Sequence, residues 1–414
     1  MGIKPRWRRV KCQMHLRLCP KLVPYSPLPC SIEQFMMIFS SNWLRQRLEF
    51  IARWGLIALV MAGISLGTGN AAYGLSLSSS TTVAYLPPGN AITDGRALLR
   101  YSLPIDNDEI RNIQATLEGL SEWLRAKRWG PVKKDIAKVE RLLSRNREAI
   151  LNDIPDGKRA AAISYLDDIQ AQLLPVQEAV DNRDRETLWL KRSAMLEDVG
   201  RIEELMVTEF PYEVPEEYSN LPQLKGRATV EFKTSKGTMK AVIDGYSAPV
   251  TGGNFVDLVQ RGFYDDMEFI RAEDYYVLQT GDPDGPEEGF IDPKTGEYRA
   301  IPLEILVKGD ESPTYGATLE SLGRYLEEPV LPFSAFGTLG MARPNTDPNG
   351  GSSQFFFFLF EPELTPAGLN LLDGRYTVFG YVVDNEDILD NLGQGDRIEA
   401  VRVVSGADNL VEPA

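Results

Sequence analysis

Apolar residues recur every three or four positions through the first half of the chain, after a Ser/Thr/Pro/Gly-rich stretch at residues 76–90. Four stripes share this helical spacing: Ile110, Ile113, Leu117, Leu120 and Leu124; Val132, Ile136, Val139, Leu142 and Leu143; Ile163, Leu166, Ile169, Leu173, Val176 and Val180; and Leu188, Met195, Val199, Ile202 and Leu205. Turn residues separate the stripes at Gly130-Pro131, Pro155-Asp156-Gly157 and Asp181-Asn182. Because short connections favour antiparallel neighbours, the pattern predicts a helical bundle over residues 93–209, preceded by a flexible N-terminus at 72–92.

The pattern changes after residue 209. A proline-rich acidic piece, residues 210–224, cannot continue a helix and is typical of a semi-rigid linker. Beyond it, the apolar period becomes two in four segments: Ala228 to Phe232, Lys236 to Ile243, Gln354 to Phe360 and Thr377 to Val383. Two helical patches interrupt them, Gly253 to Arg261 and Asp387 to Leu392. Residues 225–414 are therefore predicted to form an antiparallel barrel or sandwich, with Phe355, Phe357 and Phe358 in a buried strand.

The first 71 residues differ from the rest in charge, with ten Lys or Arg against two acidic residues. An uncharged, mostly apolar run, Trp54 to Leu66, follows three arginines and precedes the small-residue junction Gly69-Asn70-Ala71-Ala72. This order is typical of an export signal, so residues 1–71 are expected to be removed, and a start at Met36 or Met37 would leave a signal of ordinary length. The alternative is a membrane anchor, but a run of about 13 residues is shorter than the ~20 that span a bilayer.

Removal of residues 1–71 would change the available chemistry, because Cys12, Cys19, Cys30 and His15 all lie there. A mature chain without cysteine or histidine excludes thiol or Ser-His catalysis, Cys/His zinc sites and disulfides. Taking ten of the 44 basic and two of the 59 acidic residues away leaves a net charge of −23. Such a surface repels nucleic acid and anionic lipid and favours neutral or basic protein segments as partners.

Four motif blocks follow one another in the second half of the chain. They are Phe269-Ile270-Arg271 with Val277-Leu278-Gln279-Thr280-Gly281-Asp282; Gly340-Met341-Ala342-Arg343; Ser352-Ser353-Gln354-Phe355-Phe356; and Leu372-Asp373-Gly374-Arg375-Tyr376-Thr377-Val378-Phe379-Gly380. In this order they resemble the signature of the cyclophilins. The resemblance covers about Lys225 to Val411. It implies a multidomain α+β protein whose all-α bundle precedes an eight-stranded antiparallel barrel with two capping helices.

The activity that the resemblance implies is peptidyl-prolyl cis/trans isomerisation. Rotation about an X-Pro bond must break amide resonance, against a barrier of roughly 18–20 kcal/mol. The reaction needs a dry apolar pocket for the proline ring and a fixed hydrogen-bond donor aimed at the twisting amide. It needs no acid/base group, cofactor or metal, so a chain without histidine is not disqualified.

The resemblance assigns the catalytic role to Arg271, whose charge is independent of pH and whose guanidinium is a rigid fork of donors. Substrate contacts fall on Phe269, Tyr276, Val277, Gln279, Ala342, Arg343, Gln354, Phe356, Leu371, Leu372 and Tyr376. Gln279 would hold the guanidinium or the substrate backbone, and Phe356, Tyr276, Val277 and Leu371 would wall the proline pocket. Taken alone, Arg271 beside acidic neighbours is more often a surface ion pair, and Phe356 an ordinary core residue.

Three departures bear on activity. Leu371 stands where many cyclophilins carry a tryptophan, Tyr376 where they carry a histidine, and the connection from Asp282 to Phe336 is longer and more acidic than in minimal members. Loss of the indole removes a donor and an apolar wall, so weak cyclosporin binding is expected. The long connection is expected to cover or reshape the groove.

The order of export signal, bundle, linker and acidic barrel resembles the multidomain thylakoid-lumen cyclophilins. That group implies location in the thylakoid lumen, with the periplasm as the alternative, and proline-containing clients such as photosystem II subunits. No nucleic acid and no membrane span after processing are expected, and a contact between bundle and barrel is open. Two functions remain: a prolyl isomerase that assists folding and assembly, and a weakly active chaperone that holds clients through its groove or bundle.

Overall fold

The computed structural model describes residues 92–273, 276–360 and 370–413. The predicted export signal and the predicted flexible segment as far as residue 91 lie outside the described residues. Helices occupy the first part of the described chain: α1 Gly95–Ser102, α2 Asp108–Arg125, α3 Trp129–Asn152, α4 Asp156–Asp181 and α5 Arg185–Met206. None of the described helices is long and apolar enough to cross a membrane.

The predicted stripes form the core of the bundle. Ile110, Val139, Ile169 and Val199 each lie fully buried among their neighbours on the other helices. Local signals fix where the helices begin, since Asn107 accepts a hydrogen bond from the amide of Ile110, and Asp184 accepts one from Thr187. The four predicted helices therefore correspond to α2 to α5, whereas α1 has no counterpart in the apolar pattern.

The second part of the described chain consists of antiparallel strands and one long α-helix, α6 Pro249–Gln260; nine strands form the main sheet, and β1 with β13 and β7 with β8 form two small ones. Its strands are β1 Gln223–Leu224, β2 Arg227–Thr234, β3 Gly237–Asp244, β4 Met267–Glu268, β5 Arg271–Glu273, β6 Val277–Thr280, β7 Glu304–Ile305, β8 Thr314–Tyr315, β9 Thr338–Met341, β10 Phe355–Phe358, β11 Val378–Asp384, β12 Arg397–Ser405 and β13 Leu410–Val411. The second predicted helical patch is a 3-10 helix, Glu386–Asn391.

The main sheet closes on itself. Its nine strands lie in the order β4-β12-β2-β3-β11-β9-β10-β6-β5, with β4 at one edge and β5 at the other. These two strands belong to one stretch of chain, residues 267–273, which pairs with β12 at its start and with β6 at its end. Counted as one strand, that stretch completes the eight-stranded barrel that the resemblance implied, and closure leaves no free edge.

Alternation along β10 divides the barrel into an inner and an outer apolar layer. Phe355 and Phe357 face the interior, where they pack with Phe232 and Phe255. Phe356 and Phe358 face outward and belong to a second cluster that includes Phe333 and Tyr381. The predicted burial of Phe355, Phe357 and Phe358 is thus confirmed, and the outer layer exists because other segments cover it.

Helix α1 is one of these covering segments. Leu98 and Leu99 are buried members of the outer cluster, to which Phe358 and Tyr381 also belong. At Gly95 the helix lies so close to the sheet that a Cβ atom would stand 2.8 Å from the Cβ of Tyr381. The helical part of the chain therefore packs directly on the outer face of the barrel.

Candidate active site

Strand register places the main candidate residues in one row across the outer face. Arg271 of β5 pairs with Gln279 of β6, Gln279 pairs with Phe356 of β10, and Phe356 pairs with Gly340 of β9. Directly paired residues have Cβ atoms roughly 4.5–5.5 Å apart, so a donor, an amide and an aromatic ring stand side by side. Gly340 makes room for the ring, because a Cβ there would lie 2.5 Å from Phe356 Cζ.

Aromatic rings enclose Phe356 on two sides. Phe333 lies nearly parallel to it at 5.8 Å between centroids, and Tyr376 meets it edge-on at 5.7 Å. Val277 is buried in the same cluster, and Ala342 and Leu372 pack against it. Phe356 remains only 5% exposed, so this apolar floor is nearly closed in the structure.

A chain of amide hydrogen bonds runs beside the apolar floor. Gln279 donates its side-chain amide to Gln354 Oε1 at 2.7 Å. Gln354 in turn donates to Asp282 Oδ1 and to the carbonyl of Glu288, both at 2.9 Å. Burial raises the pKa of the Asp282 carboxyl, and the nearby Glu288 adds to the rise. The start of the long acidic connection is thereby bonded to the groove.

Arg271 is half exposed and is held by a carboxylate. Its Nε donates to Glu273 Oε1 at 2.8 Å, and its Nη2 contacts the same oxygen. The sequence assigned Gln279 to the guanidinium or the substrate backbone, but in the structure the Gln279 amide is bonded to Gln354. The guanidinium of Arg271 therefore lies on Glu273 rather than on Gln279.

The far wall of the groove is a turn formed by residues 370–376. Arg343 donates to the carbonyl of Arg375 from Nε at 3.0 Å and from Nη2 at 2.7 Å, and its guanidinium lies 5.0 Å from the ring centroid of Tyr376. Burial lowers the pKa of Arg343. The hydroxyl of Tyr376 donates to Asn345 Oδ1 at 3.2 Å, so a polar group remains at the rim.

The Leu-Asp-Gly motif fixes the shape of this turn. Asp373 accepts hydrogen bonds from the amides of Phe333 at 2.8 Å and Asn370 at 3.0 Å. Burial raises the pKa of the Asp373 carboxyl to about 6, against the lowering effect of these two amides. Gly374 has a φ of +73°, a conformation that favours glycine. One carboxylate therefore holds both the turn and the phenylalanine that stacks on Phe356.

Two of the assigned contact residues lie away from the groove. Phe269 is fully buried inside the barrel, 6.4 Å from the ring of Phe357, because it belongs to the stretch that closes the sheet. Leu371 is 83% exposed at the tip of the turn and does not wall the pocket. Tyr276 is intermediate in exposure between Phe269 and Leu371. It is partly exposed, and its ring meets that of Phe358 edge-on at 6.0 Å between centroids.

Phe333 and Glu273 are site residues that the motif blocks do not contain. Phe333 comes from the long acidic connection, where only its apolar Leu-Pro-Phe context could have marked it as buried. Glu273 follows Arg271 by two residues, a spacing that puts both side chains on one face of a strand.

Comparison with known proteins gives two family matches. A model described as the PsbQ-like domain of CYP38-like peptidyl-prolyl cis-trans isomerases matches residues 94–207. A model described as cyclophilin type peptidyl-prolyl cis-trans isomerase/CLD matches residues 229–409. The first match covers the helices and the second covers most of the barrel, and residues 208–228 lie between them.

Three relatives align with most of the chain. A protein of Synechocystis, named as a thylakoid lumen peptidyl-prolyl cis-trans isomerase, is 52% identical over 89% of this chain and 98% of its own length. The chloroplastic peptidyl-prolyl cis-trans isomerase CYP38 of Arabidopsis thaliana is 47% identical over 80% of this chain and 78% of its own length. The chloroplastic CYP37 of the same plant is 29% identical over 86% of this chain and 80% of its own.

Proposed function

The chain belongs to the cyclophilin-type peptidyl-prolyl cis-trans isomerases that carry an N-terminal CYP38-like helical domain, and we propose that it isomerises X-Pro bonds of protein clients in the thylakoid lumen. The observation that carries the proposal is the row of Arg271, Gln279 and Phe356 on one face of the barrel. It brings together a donor, an amide that can anchor peptide backbone and an apolar surface on three neighbouring strands.

The geometry suggests how the rate is raised. A proline ring on Phe356, between Phe333 and Tyr376, is shielded from water, which strengthens every polar contact around the bond. The Arg271 fork can donate to the prolyl nitrogen, whose basicity increases when twisting removes amide resonance and returns the lone pair to nitrogen. A donor that gains strength only in the twisted state lowers the barrier rather than binding the ground state.

The clients are proposed to include photosystem II subunits, as expected from the thylakoid-lumen group that the sequence resembles. In that role the isomerase assists the folding and assembly of proline-containing chains. The acidic surface supports neutral or basic client segments, since the whole chain carries a formal charge of −15.

A second candidate function is a chaperone that holds clients with little turnover. Three observations favour it: Phe333 covers Phe356, Glu273 holds Arg271, and Leu371 turns away from the pocket. Both functions use the same groove, and they differ in whether bound peptide is isomerised faster than free peptide.

Substitution of the arginine separates the two functions. In the full chain, Arg271→Ala is expected to lower kcat/KM on an Ala-Pro tetrapeptide by about 10²–10³-fold, the usual effect of removing one preorganised donor. Two-dimensional exchange NMR measures the rate without a coupling protease. Arg402→Ala is the matched control, because Arg402 is also exposed and paired with a carboxylate, that of Asp265. Wild-type protein that binds the peptide without accelerating exchange would establish the chaperone instead.

A further inference from the structure

The long acidic connection presents apolar side chains to solvent. Leu322, Tyr325 and Leu326 are 50%, 66% and 61% exposed, and Leu371, on the turn beside the groove, is 83% exposed. We call these four residues the apolar platform. Single exposed apolar residues are common, but four on two adjoining loops form the kind of surface that marks an interaction site.

The loop that carries the platform is firmly built. Leu319 anchors it from below, buried with Leu303, Ile305 and Val307. The amide of Arg324 donates to the carbonyl of Leu319 at 2.8 Å, and its guanidinium is bonded to Asp310 and Glu327. Leu322, Tyr325 and Leu326 are therefore exposed on a turn whose conformation is held by Leu319 and Arg324.

The platform is continuous with the active-site turn. The amide of Leu319 donates to the carbonyl of Gly374 at 2.9 Å, and Arg375 forms an ion pair with Glu320 at 2.7 Å. Leu371 is exposed on this turn, while Leu372 and Tyr376 pack against the outer cluster that contains Phe356. The turn beside the groove is therefore bonded to the loop that carries Leu322, Tyr325 and Leu326.

We propose that the apolar platform binds the apolar residues that flank the proline of a client polypeptide held in the groove. This rests on the proposed function, because the groove supplies the first contact and the platform the second. Two linked contacts bind a long chain more tightly than either contact alone, whereas a tetrapeptide reaches only the groove. The platform would thus select unfolded protein segments over short peptides.

The charge around the platform favours a client over the other occupants. Asp310, Glu320, Glu327 and Glu328 are paired there with Lys308, Arg324 or Arg375, but residues 308–328 carry five acidic residues against two basic ones, so the loop keeps a net negative charge. A second copy of this acidic chain, or an anionic lipid surface, would meet like charge there, while a client with Lys or Arg near its apolar residues would meet opposite charge.

The test compares two substrates and two variants of the full chain. The platform variant carries Leu322→Ser, Tyr325→Ser and Leu326→Ser. The control carries Leu174→Ser and Leu190→Ser, which are 64% and 67% exposed on the bundle. On the tetrapeptide, kcat/KM of both variants should stay within about twofold of the wild type. On a long unfolded proline-containing protein, kcat/KM of the platform variant alone should fall roughly tenfold, through a higher KM.

An equal loss on both substrates, or no loss on the long one, would overturn the proposal. If the wild type isomerises neither substrate, the proposed function fails. Titration of the labelled unfolded protein then still tests the platform. A loss of affinity in the platform variant alone supports the proposal, and unchanged affinity rejects it. If the wild type sediments as a dimer and the platform variant as a monomer, the platform serves self-association and the proposal is overturned. Leu326→Asp provides a second variant, and circular dichroism checks that both fold.

Discussion

Arg271 and Glu273 lie two residues apart on β5, so their side chains leave the same face of the strand. In the structure the carboxylate occupies the donors that a twisting prolyl amide would use. Both side chains are about half exposed, and such surface pairs contribute about 0–1 kcal/mol. A substrate can therefore displace Glu273 at small cost, and the pair should reduce the rate without abolishing it.

Replacement of this carboxylate should make the enzyme faster. Glu273→Gln keeps the size of the side chain and removes its charge, so kcat/KM on a tetrapeptide is expected to rise about two- to fivefold, the equivalent of up to about 1 kcal/mol. Exchange NMR measures the change. Glu399→Gln, at an exposed carboxylate paired with Lys233, is the control and should have no effect. A lower rate for Glu273→Gln would mean that the carboxylate orients Arg271 for catalysis.

At this scale the sequence predicted some residues and not others for physical reasons. The residues in the row, Arg271, Gln279 and Phe356, follow from motif order because strand register aligns them. Motif order does not specify which acidic residue pairs with Arg271, because the rotamer of a long side chain determines which nearby carboxylate it contacts. Phe269 was assigned to the groove, but closure of the barrel at this stretch turns its ring inward.

At the scale of elements, helix α6 shows how a distant carboxylate completes a helix end. Its first residue, Pro249, follows Ala248, which supplies no side-chain cap. Glu304 of β7 accepts hydrogen bonds from the amides of Val250 at 3.3 Å and Thr251 at 3.0 Å. These are amides that the helix itself leaves unpaired, and the N-terminal end of a helix attracts negative charge. Glu304 is nevertheless buried, and its burial raises the pKa of the carboxyl to about 7.

This raised pKa predicts a pH-dependent stability. Since the folded state holds the Glu304 proton more tightly than the unfolded state, its contribution is fully present below about pH 4.5 and is lost as the pH rises through about 7. The loss should approach roughly 3 kcal/mol by pH 8.5. Urea unfolding between pH 4 and 8.5 measures it, and Glu304→Gln should remove this share of the slope. Equal slopes for wild type and Glu304→Gln would show that Glu304 ionises normally.

The elements themselves were predictable where a repeated pattern supports them. Helices α2 to α5 carry long apolar stripes, and β2, β3, β10 and β11 alternate over several residues. Helix α1 has only eight residues, and two apolar neighbours, Leu98 and Leu99, give no period. Its position depends on a tertiary surface, the outer face of the barrel, that is encoded far away in the sequence.

At the scale of the whole molecule, one guanidinium joins the helices to the barrel. Arg227 of β2 donates to Asp244 and to Ser102 at 3.0 Å, and it also reaches the carbonyl of Leu99. Its Nη1 reaches Glu204 of α5 at 3.2 Å. A single side chain, only 12% exposed, thus ties β2 and β3 to both α1 and α5. The order of helices followed by barrel was predicted from the sequence, but this junction was not, because it requires the docked geometry.

The same junction determines which experiment can test whether the helices influence the groove. Leu98 and Leu99 belong to the outer cluster that also contains Phe333 and Phe356. Deletion of the helices would expose that cluster to solvent. The groove would then be destabilised by the lost packing of large buried side chains, whether or not the helices regulate it. Point substitutions at Arg227 and Glu204 avoid this difficulty, as they leave the apolar cover in place.

Arg227→Ala should uncouple the helices from the barrel, because it removes the shared tie and leaves Asp244 buried without its cation. Loss of one partner of a buried pair costs about 3–5 kcal/mol, so calorimetry is expected to show a lower Tm and two separate unfolding transitions where the wild type has one. Glu204→Gln removes only the half-exposed carboxylate on α5 and should cost about 0–1 kcal/mol, with a single transition retained. If docking of α1 restrains Phe333 over Phe356, kcat/KM on the tetrapeptide should rise in Arg227→Ala in proportion to the fraction of open molecules. One unshifted transition in Arg227→Ala would show instead that apolar packing of α1 alone couples the two parts.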